Sequence, residues 1–170
     1  DDCFLPHFKR PISALSASAS LSGDGNNLEC LRDGIDRDRP NVCHAWEGKV
    51  GDRIQYSFSK PCNIHRIRIV FDSDLNRTTL PPPENTMNRN MFHNRMLSYK
   101  PSTVPKTMLR KYRVIAQRSD GTELCVVEER NNYQRLRKYK VEIPSCIGFI
   151  LEPLETWGSP DVRIFALEAE

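Results

Sequence analysis

The run Gly51-Asp-Arg-Ile-Gln-Tyr-Ser-Phe58 alternates without a break. Ile54, Tyr56 and Phe58 fall on one face, and Arg53, Gln55 and Ser57 on the other. A period of two sends successive side chains to opposite faces of an extended chain, so the run is a half-buried strand. The rhythm returns at Ile64–Phe71, where Ile67, Ile69 and Phe71 oppose Arg66 and Arg68. It returns again at Leu109–Gln117 (Tyr112, Val114, Ala116) and at Leu136–Ile143 (Tyr139, Val141, Ile143). Glu123–Glu128, Ile147–Leu151 and Val162–Glu168 add further strands, and the Ser/Ala-rich Ile12–Leu21 reads as the first. Turn chemistry separates them: Ser22–Asn27, Asp33-Gly34, Lys60-Pro61, Ser119-Asp-Gly-Thr122 and Pro144. The 52–58 and 64–71 runs read as neighbouring antiparallel strands joined through Pro61, and Pro144 as the end of the Leu136 strand. No amphipathic helix is legible. About eight strands with frequent turns predict an all-β, jelly-roll-like antiparallel β-sandwich.

A chain of 170 residues is one domain, 1–170, large enough for its own core. A net charge of +3 lacks the concentrated basic face of a nucleic-acid binder, and the basic run Arg135, Arg137, Lys138, Lys140 reads as a solvated strand face. No apolar run has the length of a membrane span. The chain begins Asp1-Asp-Cys3 without Met, as expected of a piece of a longer protein. The six cysteines form no Cys-x-x-Cys motif, and the fifteen pairings open to six cysteines are not distinguished. They are expected to be mostly free and buried. The four histidines sit in no catalytic motif and no phosphate loop is present, so an independent activity is not expected.

Residues 72–106 break the pattern. They carry Pro81-Pro-Pro83, several Asn and Arg, and Met87, Met91 and Met96, with no useful periodicity. A loop of this length within a compact domain is functional or disordered. Here its Met, Phe and Leu residues predict an ordered segment packed on the sandwich. Asp72, Asp74, Asn76 and Arg77 follow a confident strand directly, where sandwiches present binding loops. Asn132, Tyr133 and Arg135 occupy a second loop, and Trp157 a third. Aromatic rings beside Asn, Asp and Arg suit sugars: the ring covers the apolar C–H face and the polar groups bond the hydroxyls. The competing reading is that Tyr133 and Trp157 plug the ends of the core. Asp33, near Asp24, Asp36 and Asp38, is the candidate metal ligand for Ca²⁺. A solvated acidic loop balanced by Arg32, Arg37 and Arg39 is the alternative.

Asp33-Gly34, Trp46, the Asp52–Phe58 strand, the Lys60-Pro-Cys-Asn-Ile-His-Arg-Ile-Arg-Ile69 run and the closing Val162–Glu168 together resemble the discoidin-like family. This family includes coagulation-factor type C domains and family 32 carbohydrate-binding modules. The resemblance covers about residues 11–170 apart from 72–106. It implies a galactose-binding-domain-like sandwich with a long inserted loop, and a carbohydrate or glycan-like ligand. It also implies a structural Ca²⁺ held by Asp33, a Thr and a Glu, but His44 stands at the Thr position and Ala166 at the Glu position. A closer likeness rests on Phe71–Arg77, Leu80–Pro83, Val104–Met108, Asn131–Leu136 and Glu155–Gly158. These segments together resemble the C-terminal module of bacterial FAD-dependent oxidoreductases. This implies an accessory module whose FAD binds only in an upstream catalytic domain of the same chain. That domain is the expected partner, docked so that residues 72–106 line its substrate entrance. A purely structural interaction domain is the remaining reading.

Overall fold

A computed structural model describes residues 9–39, 42–73 and 104–170. Along the chain run a short helix α1 (Ala14–Ser18), strand β1 (Ser20–Gly23), a 3₁₀ turn (Leu28–Arg32) and β2 (Trp46–Lys49). Then follow β3 (Ile54–Phe71), β4 (Leu109–Arg118), β5 (Glu123–Glu129), β6 (Leu136–Thr156) and β7 (Asp161–Ala169). Every pairing is antiparallel, in the order β2-β7-β3-β6-β4-β5, with β1 on β3.

β3 and β6 belong to both layers of the sandwich. The first half of β3 pairs with β1 and with the Gly148–Leu151 part of β6. Its second half, Ile64–Phe71, pairs with Leu136–Ile143 of β6 and with β7. The far half of β6 carries β4, which carries β5. Each long strand therefore bends from one sheet into the other. The bends fall where the sequence shows breakers: the β3–β6 register shifts between Ser57 and Arg66, and Ser145 after Pro144 has a φ of 53°. Breakers that suggest strand ends in the sequence are strand bends here, so 52–58 and 64–71 are one strand, not hairpin neighbours. Leu136–Ile143 and Ile147–Leu151 are likewise one strand, and it continues to Thr156.

Between the layers lie the inward faces that the alternation marks. Tyr56 stacks on Phe149 at 4.8 Å and 7°, and Phe71 from one layer meets Tyr112 from the other at 5.1 Å. The Tyr56 hydroxyl donates across the core to the Leu167 carbonyl at 2.7 Å. Trp46, fully buried, opens β2 and pairs with Ile164, so it belongs to the sheet and not to a turn before it. Its Nε1 donates to the Asp24 carbonyl at 2.9 Å, which ties the first turn to the sheet.

Three expectations need correction. Half of Ile12–Leu21 is helix, Ala14–Ser18: Ser13 caps α1, its hydroxyl accepting from Ser16 N at 3.1 Å, and the strand is Ser20–Gly23. Small residues in a row carry no periodicity strong enough to decide. Arg68 does not face water. It is 6% exposed, because Asp36 and its neighbours in the chain before β2 cover that face of β3. There Val70 packs on Ala45, Phe165 and Ala166. Of the five cysteines described as free, only Cys146 is buried, while Cys43 and Cys125 are exposed.

A Cβ on Gly48 would collide with the six-membered ring of Trp46. Gly48→Ala is expected to cost about 1–3 kcal/mol by forcing the indole out of place, read as a lower urea midpoint with an unchanged slope.

Candidate ligand-binding site

The residues proposed from the sequence fall into two groups. Asp74, Asn76 and Arg77 lie outside the described residues. The first group is built around Asn132, in the loop between β5 and β6. Asn132 is 1% exposed and all its polar groups are engaged. Its backbone N donates to the Arg110 carbonyl (2.9 Å), its Nδ2 to the Leu109 carbonyl (3.0 Å), and its Oδ1 accepts from Gln134 N (3.1 Å). Its own carbonyl accepts from Trp157 Nε1 at 2.6 Å. Asn132 thus pins the loop to β4 and to the β6–β7 connection. Pinning it this way turns the next residue, Tyr133, out into solvent, where it is 63% exposed.

Trp157 is half-buried against the core, and the Arg110 guanidinium lies 4.6 Å above its ring. Arg110 in turn bonds Asn131 Oδ1 (3.2 Å) and Glu155 Oε1 (3.0 Å), and Lys111 bonds Glu155 Oε2 at 2.5 Å. The Lys111 ammonium and the Arg110 guanidinium hold the Glu155 carboxyl below the usual carboxylate range. The loop that exposes the Tyr133 ring thus also holds Asn131, which bonds Arg110, itself paired with Glu155. Trp157 serves as the floor of this group, as the core-plug reading holds, and Tyr133 is its free ring. Sequence reasoning missed Arg110, Asn131 and Glu155. Arg110 sits in a strand and Glu155 at a strand end, and only the fold brings them together.

Asp72 and Arg135 belong to the second group, on the covered face of β3. Asp72, 4% exposed, accepts from Arg163 Nη1 at 2.6 Å. Arg163 also grips Asp38 (2.9 Å) and Glu47 (3.2 Å). Arg135 donates to the Asp36 carbonyl and lies over Phe165. Burial pulls its guanidinium below the ordinary value. Arg68 bonds Asp36 and lies 3.7 Å from Glu168, which Arg10 meets at 2.7 Å. Asp36 and Asp38 of the acidic loop are thus paired with arginines distant in sequence. Arg68 of β3, Arg163 of β7, Arg135 and Arg10 are among its partners.

Asp33 stands apart from both groups. Its Oδ1 accepts from Ile35 N at 2.7 Å, and its Oδ2 meets His44 Nδ1 at 2.8 Å. Cys30, from the 3₁₀ turn, completes a half-buried cluster whose donor atoms lie within 4.8 Å of one another. Calcium takes six to eight oxygens, and a thiol and an imidazole are not among them. The donors beside Asp33 therefore do not fit the ion that the family resemblance implies.

No known protein family matches the sequence, and no curated protein does. Solved structures do match. The family 32 carbohydrate-binding module of EndoD from Streptococcus pneumoniae superposes with a TM-score of 0.63 over 92% of this chain and 97% of its own, at 11% identity. The fold is that of a galactose-binding-like β-sandwich. The GH31 CBM32-2 structure bound to GalNAc matches with a TM-score of 0.60 over 89% of this chain and 95% of its own, at 14% identity. The family 32 module of NanJ from Clostridium perfringens, in complex with galactose, matches at 0.58 over 93% and 97%, with 12% identity. No helix among the described residues is long and apolar enough to cross a membrane.

Burial opposes the charge of Asp36, but Arg68 and Arg10 outweigh it and hold the carboxyl below its usual value. A carboxyl depressed in the folded state adds stability that is complete above the unfolded value of about 3.9 and is lost as pH falls through the folded value. Asp36→Asn should therefore cost about 3–5 kcal/mol at neutral pH, because Arg68 stays buried. In urea titrations its deficit against the parent should shrink as pH falls below about 4.

Proposed function

We propose that this chain is a non-catalytic accessory module that binds a carbohydrate through the Tyr133 loop. The observation that carries the reading is the Tyr133 ring, 63% exposed on a backbone that Asn132 fixes on both sides. A sugar's C–H face stacks on such a ring, and a pinned loop loses little entropy on binding. Arg110, Asn131 and Glu155 supply the donors and acceptors for hydroxyls. Asp74, Asn76 and Arg77 are the candidates to complete the contact from the inserted segment, while Asp72 and Arg135 support the scaffold. Galactose- and GalNAc-bound neighbours of the same fold support a sugar as the first ligand to test.

We extend the proposal to the parent protein on the sequence resemblance alone: an FAD-dependent oxidoreductase carrying this module at its C-terminus. One observation favours a docking role beside the sugar site. The chain returning from residues 72–106 is bonded to the Trp157 loop, Ser159 N to the Lys106 carbonyl at 3.2 Å and Trp157 N to the Met108 carbonyl at 3.1 Å. The returning end of the insertion, Lys106–Met108, and the Trp157 loop therefore share one edge, and a catalytic domain docked there would feel both.

Calorimetric titration of galactose and GalNAc into the isolated chain tests the proposal. Binding is expected, and Tyr133→Ala should weaken it about tenfold, the loss of one stacking ring. No heat at millimolar sugar, or an unchanged affinity in Tyr133→Ala, would overturn it.

A further inference from the structure

We propose that Cys30, Asp33 and His44 form a binding site for Zn²⁺ or a metal of similar softness, in place of the oxygen-ligated calcium the family resemblance implies. The three donors come from two pieces of backbone. Cys30 sits in the 3₁₀ turn, Asp33 just after it, and His44 two residues before β2. Their Sγ, Oδ and ring nitrogen atoms converge within 4.8 Å, and they are the one such group among the described residues. In a tetrahedral zinc site, with bonds of about 2.0–2.3 Å, donor atoms stand roughly 3.3–3.8 Å apart. Small side-chain rotations therefore close the set. Thiolate, imidazole and carboxylate are zinc's usual donors, and three of them leave a fourth position for water.

The surroundings support the assignment. Ile35 N holds Asp33 Oδ1, which leaves Oδ2 for the metal. The Asp38 carboxylate accepts from His44 N at 3.1 Å and fixes the backbone that carries the ring. Gly34 lets the chain turn between the donors and the covering loop: its φ is 79°, and a Cβ there would strike the Arg10 carbonyl. The carboxylates that a hard cation needs are already committed, Asp36 and Glu168 to Arg68 and Arg10, and Asp38 to Arg163. His44 Nδ1 and Asp33 Oδ2 now share a hydrogen bond. On metal binding the Nδ1 proton of that hydrogen bond passes to Nε2 through solvent, Nδ1 and Oδ2 each bond the metal, and the thiol proton leaves to solvent. The ion would tie the 3₁₀ turn to the start of β2 and so fasten the loop lying on β3 and β7. The site does not depend on the sugar reading.

The test uses the chain stripped with a chelator and kept reduced by a phosphine. Calorimetry with Zn²⁺ should show one equivalent bound. At about a hundredfold excess over Kd, the melting temperature should rise by roughly 5–10 °C, and millimolar Ca²⁺ should leave it unchanged. Co²⁺ should give a thiolate charge-transfer band in the near ultraviolet. That band should vanish in Cys30→Ser and persist in Cys43→Ser, and His44→Ala should lose the bound equivalent. The proposal is overturned if the parent chain binds no Zn²⁺, if Ca²⁺ produces the thermal shift, or if Cys30→Ser keeps the cobalt band. The parent's stoichiometry and spectrum decide the matter even if a variant fails to fold.

Discussion

Two strands, β3 and β6, hold this molecule together by running through both of its sheets. A sandwich whose layers share strands cannot slide apart without breaking ladder hydrogen bonds. The cost is that each shared strand must bend, and bending requires a local break in regular pairing. The register shifts between Ser57 and Arg66 and the left-handed Ser145 meet that cost. Inside the bend, Tyr56 and Phe149 stack, and the Tyr56 hydroxyl reaches Leu167 on the opposite layer. Aromatic burial supplies the driving force here, and the buried hydrogen bond fixes which residues face each other.

The outer face of the β3–β7 sheet is covered by a loop rich in charge rather than by an apolar one. Arg68 and Arg163 rise from that sheet into the carboxylates of Asp36, Asp38, Asp72 and Glu168. Such pairs gain little net stability against an apolar face, but losing one partner leaves a buried charge and is costly. Their geometry also fixes the path of the loop. That path delivers His44 to Cys30 and Asp33, so the candidate metal site is a by-product of how the loop is anchored.

The two candidate sites follow one logic. In each, a polar residue whose side chain is engaged by the scaffold positions a neighbour that is free to act. Asn132 binds β4 and the Trp157 loop and thereby exposes Tyr133. Asp38 receives the His44 backbone and thereby aims the ring at Asp33. On a stiff sandwich, such pinning is how a binding group in a loop avoids the entropy cost of a mobile one.

The sequence by itself determined the fold class and the core face of nearly every strand. Alternation of apolar and polar residues is a local signal, and local signals survive in a linear sequence. Tyr133 and Trp157 were legible for this reason, as rings in loops between strands. What only the tertiary structure decided concerns pairs far apart in the chain. Pro61 and Pro144 read as ends because a breaker looks the same whether a strand stops or turns into another sheet. Arg68 read as exposed because alternation gives a face but not what covers it. Asn132 and Asp72 looked like ligand groups and turned out to be engaged with Leu109 and Arg163. His44 met Cys30 and Asp33 only after the loop was laid on the sheet. Each of these outcomes depends on long-range packing, which no window along the sequence contains.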